Sequence, residues 1–289
     1  MDDVAFRAMG TEVRLIGTNL DAARAWLERY EAALSRFRPD SELSRLNADP
    51  RTTVPATRLL RAAVRGALWA AQRTDGLVDP TLHDALVRAG YAHSLAGVAP
   101  APLRQALAAA PPRRAATGSD RWHAVRVGET AIRRPPGLAL DTGGTGTGLA
   151  ADRLARLVGG TADCGGDVRV IGAQEVHVRH PLTAETCERI VITDGAVATS
   201  GIDARLWHTT AGGYAHHLLD PGTGEPAWTG LISVTALAPT ALEAEALAKA
   251  ALLSGDRRRL RHGGLLVHDD GDVETAGRMR RRVRLAVAS

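Results

Sequence analysis

Two glycine-rich stretches of this 289-residue chain concentrate side chains that can do chemistry. In the later stretch, Ser200 follows an apolar run, and His216 and His217 precede Leu219 and Asp220. Consecutive residues of a strand point to opposite faces, so only one of the two histidines can face a site. An unperturbed imidazole suits general-base chemistry near neutral pH, whereas a lone buried histidine is more often structural. Both interpretations stay open for this pair.

The earlier stretch, residues 140–148, reads LDTGGTGTG. It lies between a predicted strand and a predicted helix, where backbone N–H groups favour an anion. No Gly-Lys-Ser/Thr follows, so it is not a Walker A loop. A relaxed dinucleotide fingerprint matches from Gly146 to Ala151, but the chain lacks the repeated strand-helix-strand pattern of a Rossmann fold. A structural glycine turn is the third interpretation.

Composition limits the class of protein. Hydrophobic residues make up 45% of the chain and the formal charge is +4. The few aromatic residues are not interleaved with basic runs, which argues against a nucleic-acid partner. We interpret the Arg-rich stretches 257–259 and 278–282 as solvated faces. Cys164 and Cys187 lack metal-ligand spacing. Because no signal segment or long apolar run occurs, we expect a cytoplasmic protein without membrane insertion.

Periodicity predicts the elements around these stretches. Residues 4–17 alternate as a strand that breaks at residues 9–11, and helical spacing recurs over 20–36, 57–73, 149–158 and 241–253. A Pro- and Ala-rich segment near 98–116 predicts a lobe boundary or a surface insertion. Strands and helices mix without a regular βαβ array. We therefore expect one large two-lobed α+β domain over residues 1–289, with mixed sheets and flanking helices.

Six motifs, in order from about residue 6 to 275, resemble the ApbE-type FAD:protein FMN transferases. They are the signature in segments 9–11 and 35–47, followed by segments 75–82, 141–148, 164–167, 197–224 and 244–250. The resemblance implies a flavin-transferase fold. It also implies that FAD is held by Met9, Phe37, Leu77, Val78, Asp79, Asp141, Thr147, Ser200 and Leu219, with Phe37 against the isoalloxazine ring.

Segment 75–82 also has a purely structural interpretation. Asp79 followed by Pro80 favours a capping turn with Pro80 near the first position of a helix. That interpretation and FAD binding are compatible.

The resemblance also implies catalytic and metal-binding residues. His217 is the candidate base, with Asp220 as its possible orienter. Gly144 and Glu245 stand where the family binds Mg²⁺. Two positions depart from the family pattern, because Thr147 stands in the place of a lysine, and Lys249, the only lysine of the chain, replaces an oxygen ligand.

Lys249 therefore has two interpretations. It can be the solvated i,i+4 partner of Glu245, which contributes only about 0.2 to 0.5 kcal/mol. Alternatively, its ammonium takes the metal position and meets the pyrophosphate as a point charge. Mg²⁺ requires oxygen ligands and does not share its shell with a cation, so the second interpretation puts the usual metal site in doubt.

The activity implied by the resemblance is transfer of FMN from FAD to a Thr or Ser hydroxyl of an acceptor protein, with release of AMP. The expected partners are therefore FAD and a protein that carries a Ser/Thr flavinylation site. The two departures leave two alternatives open. One is a non-catalytic FAD-binding homologue, and the other is an enzyme of the same fold that acts on another flavin or nucleotide substrate.

Overall fold

The computed structural model describes residues 2–277 and the backbone of residues 282–284. The Arg-rich stretch 278–281, for which the sequence predicts a solvated face, lies outside the described residues. The described residues form seven α-helices: α1 Leu20–Leu34, α2 Glu42–Ala48, α3 Arg58–Arg73, α4 His83–Arg88, α5 Leu103–Ala108, α6 Gly146–Val158 and α7 Ala241–Ser254. They form sixteen strands: β1 Asp2–Ala8, β2 Thr11–Gly17, β3 Thr53–Pro55, β4 Arg126–Val127, β5 Ala131–Arg133, β6 Thr161–Cys164, β7 Asp167–Val170, β8 Ala173–Arg179, β9 Thr186–Thr193, β10 Ala196–Gly201, β11 Leu206–His208, β12 Tyr214–His216, β13 Leu231–Ala238, β14 Gly264–His268, β15 Val273–Ala276 and β16 Arg282–Arg284.

An eight-stranded antiparallel sheet forms the centre of the fold, in the order β1-β2-β6-β7-β10-β13-β14-β15. Every residue of β13 is buried, so the sheet is covered on both faces at this strand. The helix α7 is rich in alanine and leucine and is buried on nearly all sides, as expected for a core helix. It packs on β10 and β13, while α6 packs beside it on β6 and β7. The helices α1 and α3 pack against this pair.

Two tight turns meet at one end of this sheet. Met9 and Gly10, with φ of 53° and 72°, connect β1 to β2, and Gly165 and Gly166, with φ of 72° and 96°, connect β6 to β7. Two-residue hairpin turns of this kind need positive φ. A Cβ on Gly165 would lie 2.2 Å from Thr11 Oγ1, so the two turns touch and only glycine fits. Met9 holds its left-handed backbone without being glycine.

The predicted α+β fold class is confirmed, and α1, α3, α6 and α7 match the predicted helices to within about three residues. The helix expected near Pro80 is α4, which begins three residues later at His83. The cause is local, because Asp79 Oδ1 accepts a 2.7 Å bond from the Thr81 N–H and closes a turn before the helix.

The Pro- and Ala-rich segment 98–116 contains the short helix α5 and follows the surface of the domain. Its backbone N–H groups at Ala101, Arg114 and Ala116 donate to carbonyls of Leu206, Trp228 and Leu253. The lobe boundary expected here stays a prediction. Among residues 2–277, no helix is long and apolar enough to cross a membrane, and the cytoplasmic location also stays a prediction.

Candidate functional site

Two of the predicted ligand segments meet beside the start of α6. The Asp141 N–H donates to the Pro80 carbonyl over 2.8 Å, which joins the glycine-rich loop to segment 75–82. A Cβ on Gly144 would be 3.9 Å from Val78 Cγ1, so the loop runs directly over this segment. The loop then continues into α6 at Gly146, whose carbonyl accepts from Tyr30 Oη. Sequence motifs about sixty residues apart therefore form one surface.

The start of α6 is closed by a carboxylate from α7. Glu245 Oε2 accepts from the Gly148 N–H at 2.8 Å, and Oε1 accepts from Thr147 Oγ1 at 3.1 Å. The same Oε1 lies 2.7 Å from Lys249 Nζ. A Cβ on Gly148 would lie 2.6 Å from the Ala241 carbonyl oxygen, so glycine is what lets the two helices approach this closely. Glu245 therefore supplies the cap that the first turn of α6 needs.

The capping is reciprocal. Asp152 of α6 accepts hydrogen bonds from the N–H groups of Ala241 and Leu242, at 2.9 and 3.1 Å, and so caps α7. Carboxylates at helix N-termini satisfy free donors and interact favourably with the helix dipole. Since each helix closes the other, the positions of Glu245 and of the α6 start are coupled.

The Glu245–Lys249 pair is buried, with side chains 1% and 13% exposed. The interpretation of Lys249 as a solvated surface partner is therefore wrong. Its long stem turns inward because α7 is buried on nearly all sides.

Asp167 and His217 lie close to this pair. Burial raises the pKa of Asp167 well above its usual range, and the charge of Glu245 adds to the rise. The charge of Lys249 and the nearby Thr147 hydroxyl oppose it. We call Thr147, Asp167, His217, Glu245 and Lys249 the polar cluster. The sequence motif marked the glycines before Asp167 but did not indicate that the Asp167 side chain belongs to the site. That side chain lies near residues of α6 and α7, and no local pattern reveals this proximity.

The two histidines differ as strand alternation predicts. His216, the last residue of β12, is fully buried, and its ring packs edge-on against Trp228. Burial lowers its pKa to about 3, so it is a neutral core residue. His217 is partly exposed, and its Nδ1 has no hydrogen-bond partner among the described residues. Burial of its ring lowers the pKa of His217 well below the usual range, with smaller contributions from the charges of Arg205 and Lys249. His217 is therefore neutral, and its Nδ1 is left without a hydrogen-bond partner among the described residues.

Asp220 has a different role from the one expected. Its Oδ1 accepts from the backbone N–H groups of Thr117 at 2.8 Å and Gly222 at 2.9 Å. None of its hydrogen bonds within residues 2–277 goes to His217. The carboxylate fixes the loop after β12 to segment 98–116 and the residues that follow it, so the expectation that it orients the imidazole is corrected.

An arginine clamped between aromatic rings forms the other end of the site. Arg36 Nε lies 3.0 Å from Asp141 Oδ2. The Arg36 side chain is 6% exposed and the Asp141 side chain is 12% exposed. Its guanidinium lies 4.2 Å from the Phe37 ring centroid and 4.4 Å from that of Tyr91, and Tyr91 stacks on Trp207. Phe37 is half-buried, as a ring-stacking residue should be. Tyr91 and Trp207 carry no motif, so sequence reasoning missed them.

The other residues expected to bind FAD fall into two groups. Leu77, Val78, Leu219 and Ser200 are buried, so the apolar ones among them present mainly their backbone to a ligand. Met9 is half-buried in the turn at the end of the sheet. Asp79 Oδ2 and Thr81 Oγ1 are buried without a hydrogen-bond partner among the described residues. Buried polar atoms are normally satisfied, so these two and His217 Nδ1 fit a site that is completed by a polar ligand.

Two cavities occur elsewhere. One of about 500 Å³ lies between α1, α2 and β3, and one of about 400 Å³ lies between segment 107–113 and Trp228. Neither is lined by a residue of the polar cluster.

Comparison with known proteins agrees with this geometry. The sequence profile of the ApbE family matches residues 9–263. This chain belongs to the ApbE family. It is 31% identical over 257 residues to the FAD:protein FMN transferase of Treponema pallidum, covering 79% of this chain and 69% of that protein. It is 29% identical over 270 residues to the enzyme of the same name from Salmonella typhimurium, covering 83% and 74%.

Solved structures show the same ApbE fold. The crystal structure of the ApbE protein of Thermotoga maritima superposes with a TM-score of 0.79 at 25% identity, covering 95% of this chain and 96% of that one. The flavin transferase ApbE of Vibrio cholerae gives a TM-score of 0.70 at 20% identity, with the same coverage. The likeness therefore extends over nearly the whole chain.

Proposed function

We propose that this ApbE-family protein is a FAD:protein FMN transferase. The observation that carries the proposal is the polar cluster, in which a neutral histidine with a free nitrogen lies near a buried ammonium. Relatives that bear this enzyme name support it over most of the chain. The acceptor is a protein with an exposed Ser or Thr hydroxyl.

The reaction is a displacement at phosphorus. The acceptor hydroxyl oxygen attacks the flavin-side phosphorus of FAD and forms the new P–O bond. The bond from that phosphorus to the bridging oxygen breaks, and AMP leaves with that oxygen. His217 takes the hydroxyl proton. Such a step needs a positioned base, an oriented substrate and positive charge against the developing negative charge.

FAD would lie along the surface formed by segment 75–82 and the glycine-rich loop 141–148, beside the polar cluster. Phe37 and Met9 would contact the flavin ring system, and Asp141, held by Arg36, would accept hydrogen bonds from it. Asp79, Thr147 and Ser200 would supply further polar contacts, and the backbone at Leu77, Val78 and Leu219 would line the site. The unpartnered polar atoms at Asp79 and His217 support this assignment.

The residues present do not fit the usual Mg²⁺ site. Glu245 already accepts from Thr147, Gly148 and Lys249, and an ammonium stands beside it. Residues 2–277 contain no group of three or more His, Cys, Asp or Glu side chains arranged to hold a metal ion. The Gly144 carbonyl alone is a weak ligand for Mg²⁺.

Mixing the purified protein with FAD tests the proposal. We expect saturable quenching of flavin fluorescence and slow release of AMP, with water in place of the acceptor hydroxyl. His217→Ala should lose AMP release and keep FAD binding. His216→Ala is the matched control, which should lose stability and keep turnover per folded molecule. FAD binding without AMP release in any condition would favour the non-catalytic flavin-binding homologue. Release of a different nucleotide from another substrate would favour an enzyme of the same fold that acts on another flavin or nucleotide.

A further inference from the structure

Lys249 is positioned by the Glu245 carboxylate, which has no oxygen free of hydrogen bonds. Both oxygens of Glu245 accept hydrogen bonds, from Thr147 Oγ1 and Lys249 Nζ at Oε1 and from the Gly148 N–H at Oε2. A divalent ion at Glu245 would have to displace the ammonium or the cap of α6. Removing the cap would leave a buried backbone donor unsatisfied, which is unfavourable.

The Lys249 ammonium has N–H groups that do not bond to Glu245. An ammonium carries three N–H groups, and one of the Lys249 donors has a described partner, at Glu245. Its side chain is 13% exposed, so it is largely desolvated yet reachable from the site. Its charge acts on both Asp167 and His217. A desolvated positive charge beside the proton acceptor is where a phosphoryl transfer needs charge compensation.

We propose that the Lys249 ammonium is the resident cation of this site and binds a pyrophosphate oxygen of FAD, so that FAD binding and transfer need no divalent ion here. The inference rests on the proposed function. It names Lys249 as a catalytic residue that contacts substrate, and Glu245 as the positioning residue that holds it.

A titration with metal ion alone tests whether this site binds a divalent ion. Mn²⁺ is titrated into the protein without flavin, and free Mn²⁺ is followed by electron paramagnetic resonance. We expect no stoichiometric binding by the unsubstituted protein. Glu245→Asp together with Lys249→Thr restores oxygen ligands and should bind about one ion. Stoichiometric Mn²⁺ binding by the unsubstituted protein that Glu245→Gln abolishes would overturn the inference.

Flavin-binding measurements test whether Lys249 contacts the pyrophosphate of FAD. FAD and riboflavin affinities are measured with EDTA and with Mg²⁺. For the unsubstituted protein, we expect the FAD affinity to be the same in both. Lys249→Met should weaken FAD by about tenfold or more, since a hydrogen bond to a charged group is lost, and should leave riboflavin, which has no phosphate, nearly unchanged. Lys249→Arg should recover part of the FAD affinity. Glu243→Gln removes a charge from the first turn of the same helix, away from the cluster, and is the control.

The outcomes separate the inference from the proposed function. FAD binding that requires Mg²⁺ would refute the ammonium as resident cation while leaving the transferase intact. Metal-independent FAD binding that depends on Lys249, without AMP release, would support the ammonium contact and refute the transferase. Equal weakening of FAD and riboflavin by Lys249→Met would refute the pyrophosphate contact.

Discussion

Replacing Gly148 by alanine should separate the α6 start from Glu245. The added Cβ would lie 2.6 Å from the Ala241 carbonyl oxygen and 2.8 Å from Glu245 Oε2, and both are closer than a carbon atom can approach. Overpacking of this kind costs about 1 to 3 kcal/mol. Loss of the capping hydrogen bond adds about 1 kcal/mol, and the better helix propensity of alanine returns about the same amount. We therefore expect Gly148→Ala to be about 2 kcal/mol less stable.

Gly144→Ala is the matched control in the same loop. Its Cβ would meet Val78 Cγ1 at 3.9 Å, an ordinary contact, and Gly144 does not have a positive φ. Substitution there should leave stability unchanged or raise it by about 0.4 to 1 kcal/mol. Urea unfolding, followed by tryptophan fluorescence, compares the two variants. Equal stability of the two variants would refute the close helix contact, as would an unchanged FAD affinity in Gly148→Ala.

Two further predictions concern residues near the cluster. The buried His216 takes up a proton only near pH 3, while the unfolded chain takes it up near pH 6.5, so this residue contributes stability above about pH 6.5 that is lost as the pH falls toward 3. The stability difference between the unsubstituted protein and His216→Asn should therefore change by up to about 1.4 kcal/mol per pH unit in this window, and a pH-independent difference would contradict the assignment. Asp220→Asn keeps an acceptor for the Thr117 and Gly222 amides and should keep AMP release, whereas Asp220→Ala should lose about 2 kcal/mol of stability. A loss of turnover in Asp220→Asn without a loss of stability would restore Asp220 as the orienter of His217.

Local patterns in the sequence predicted the parts of this protein that depend on local physics. The apolar repeat of residues 57–73 gave α3 to within one residue, and the Met9-Gly10 break gave the β1–β2 turn. The alternation argument predicted that only one of His216 and His217 faces a site, and burial separates the two residues. Each of these inferences uses neighbours within about four positions, where side-chain direction follows from the backbone alone.

Local sequence patterns could not predict contacts between residues that are far apart in the sequence. The Arg36–Asp141 ion pair, the Gly148–Glu245 cap and the stacking of Tyr91 on Trp207 join residues roughly one hundred positions apart. Nothing local marks their partners, because each depends on which helices and loops pack together. Asp220 was misjudged for the same reason, since its partner Thr117 lies in a different segment.

Thr147, Glu245 and Lys249 are physically coupled. Glu245 has to reach the Gly148 N–H and Thr147 Oγ1 across the helix contact and still meet Lys249 one turn later on its own helix. An aspartate is one methylene shorter, so the longer arm is what allows one carboxylate to cap α6 and hold the ammonium. A threonine at position 147 is also required by this arrangement, because a lysine there would place a second ammonium at the same oxygen. The three residues are consistent with each other only as a set. This mutual fit supports the proposal that the site is built around the Lys249 ammonium.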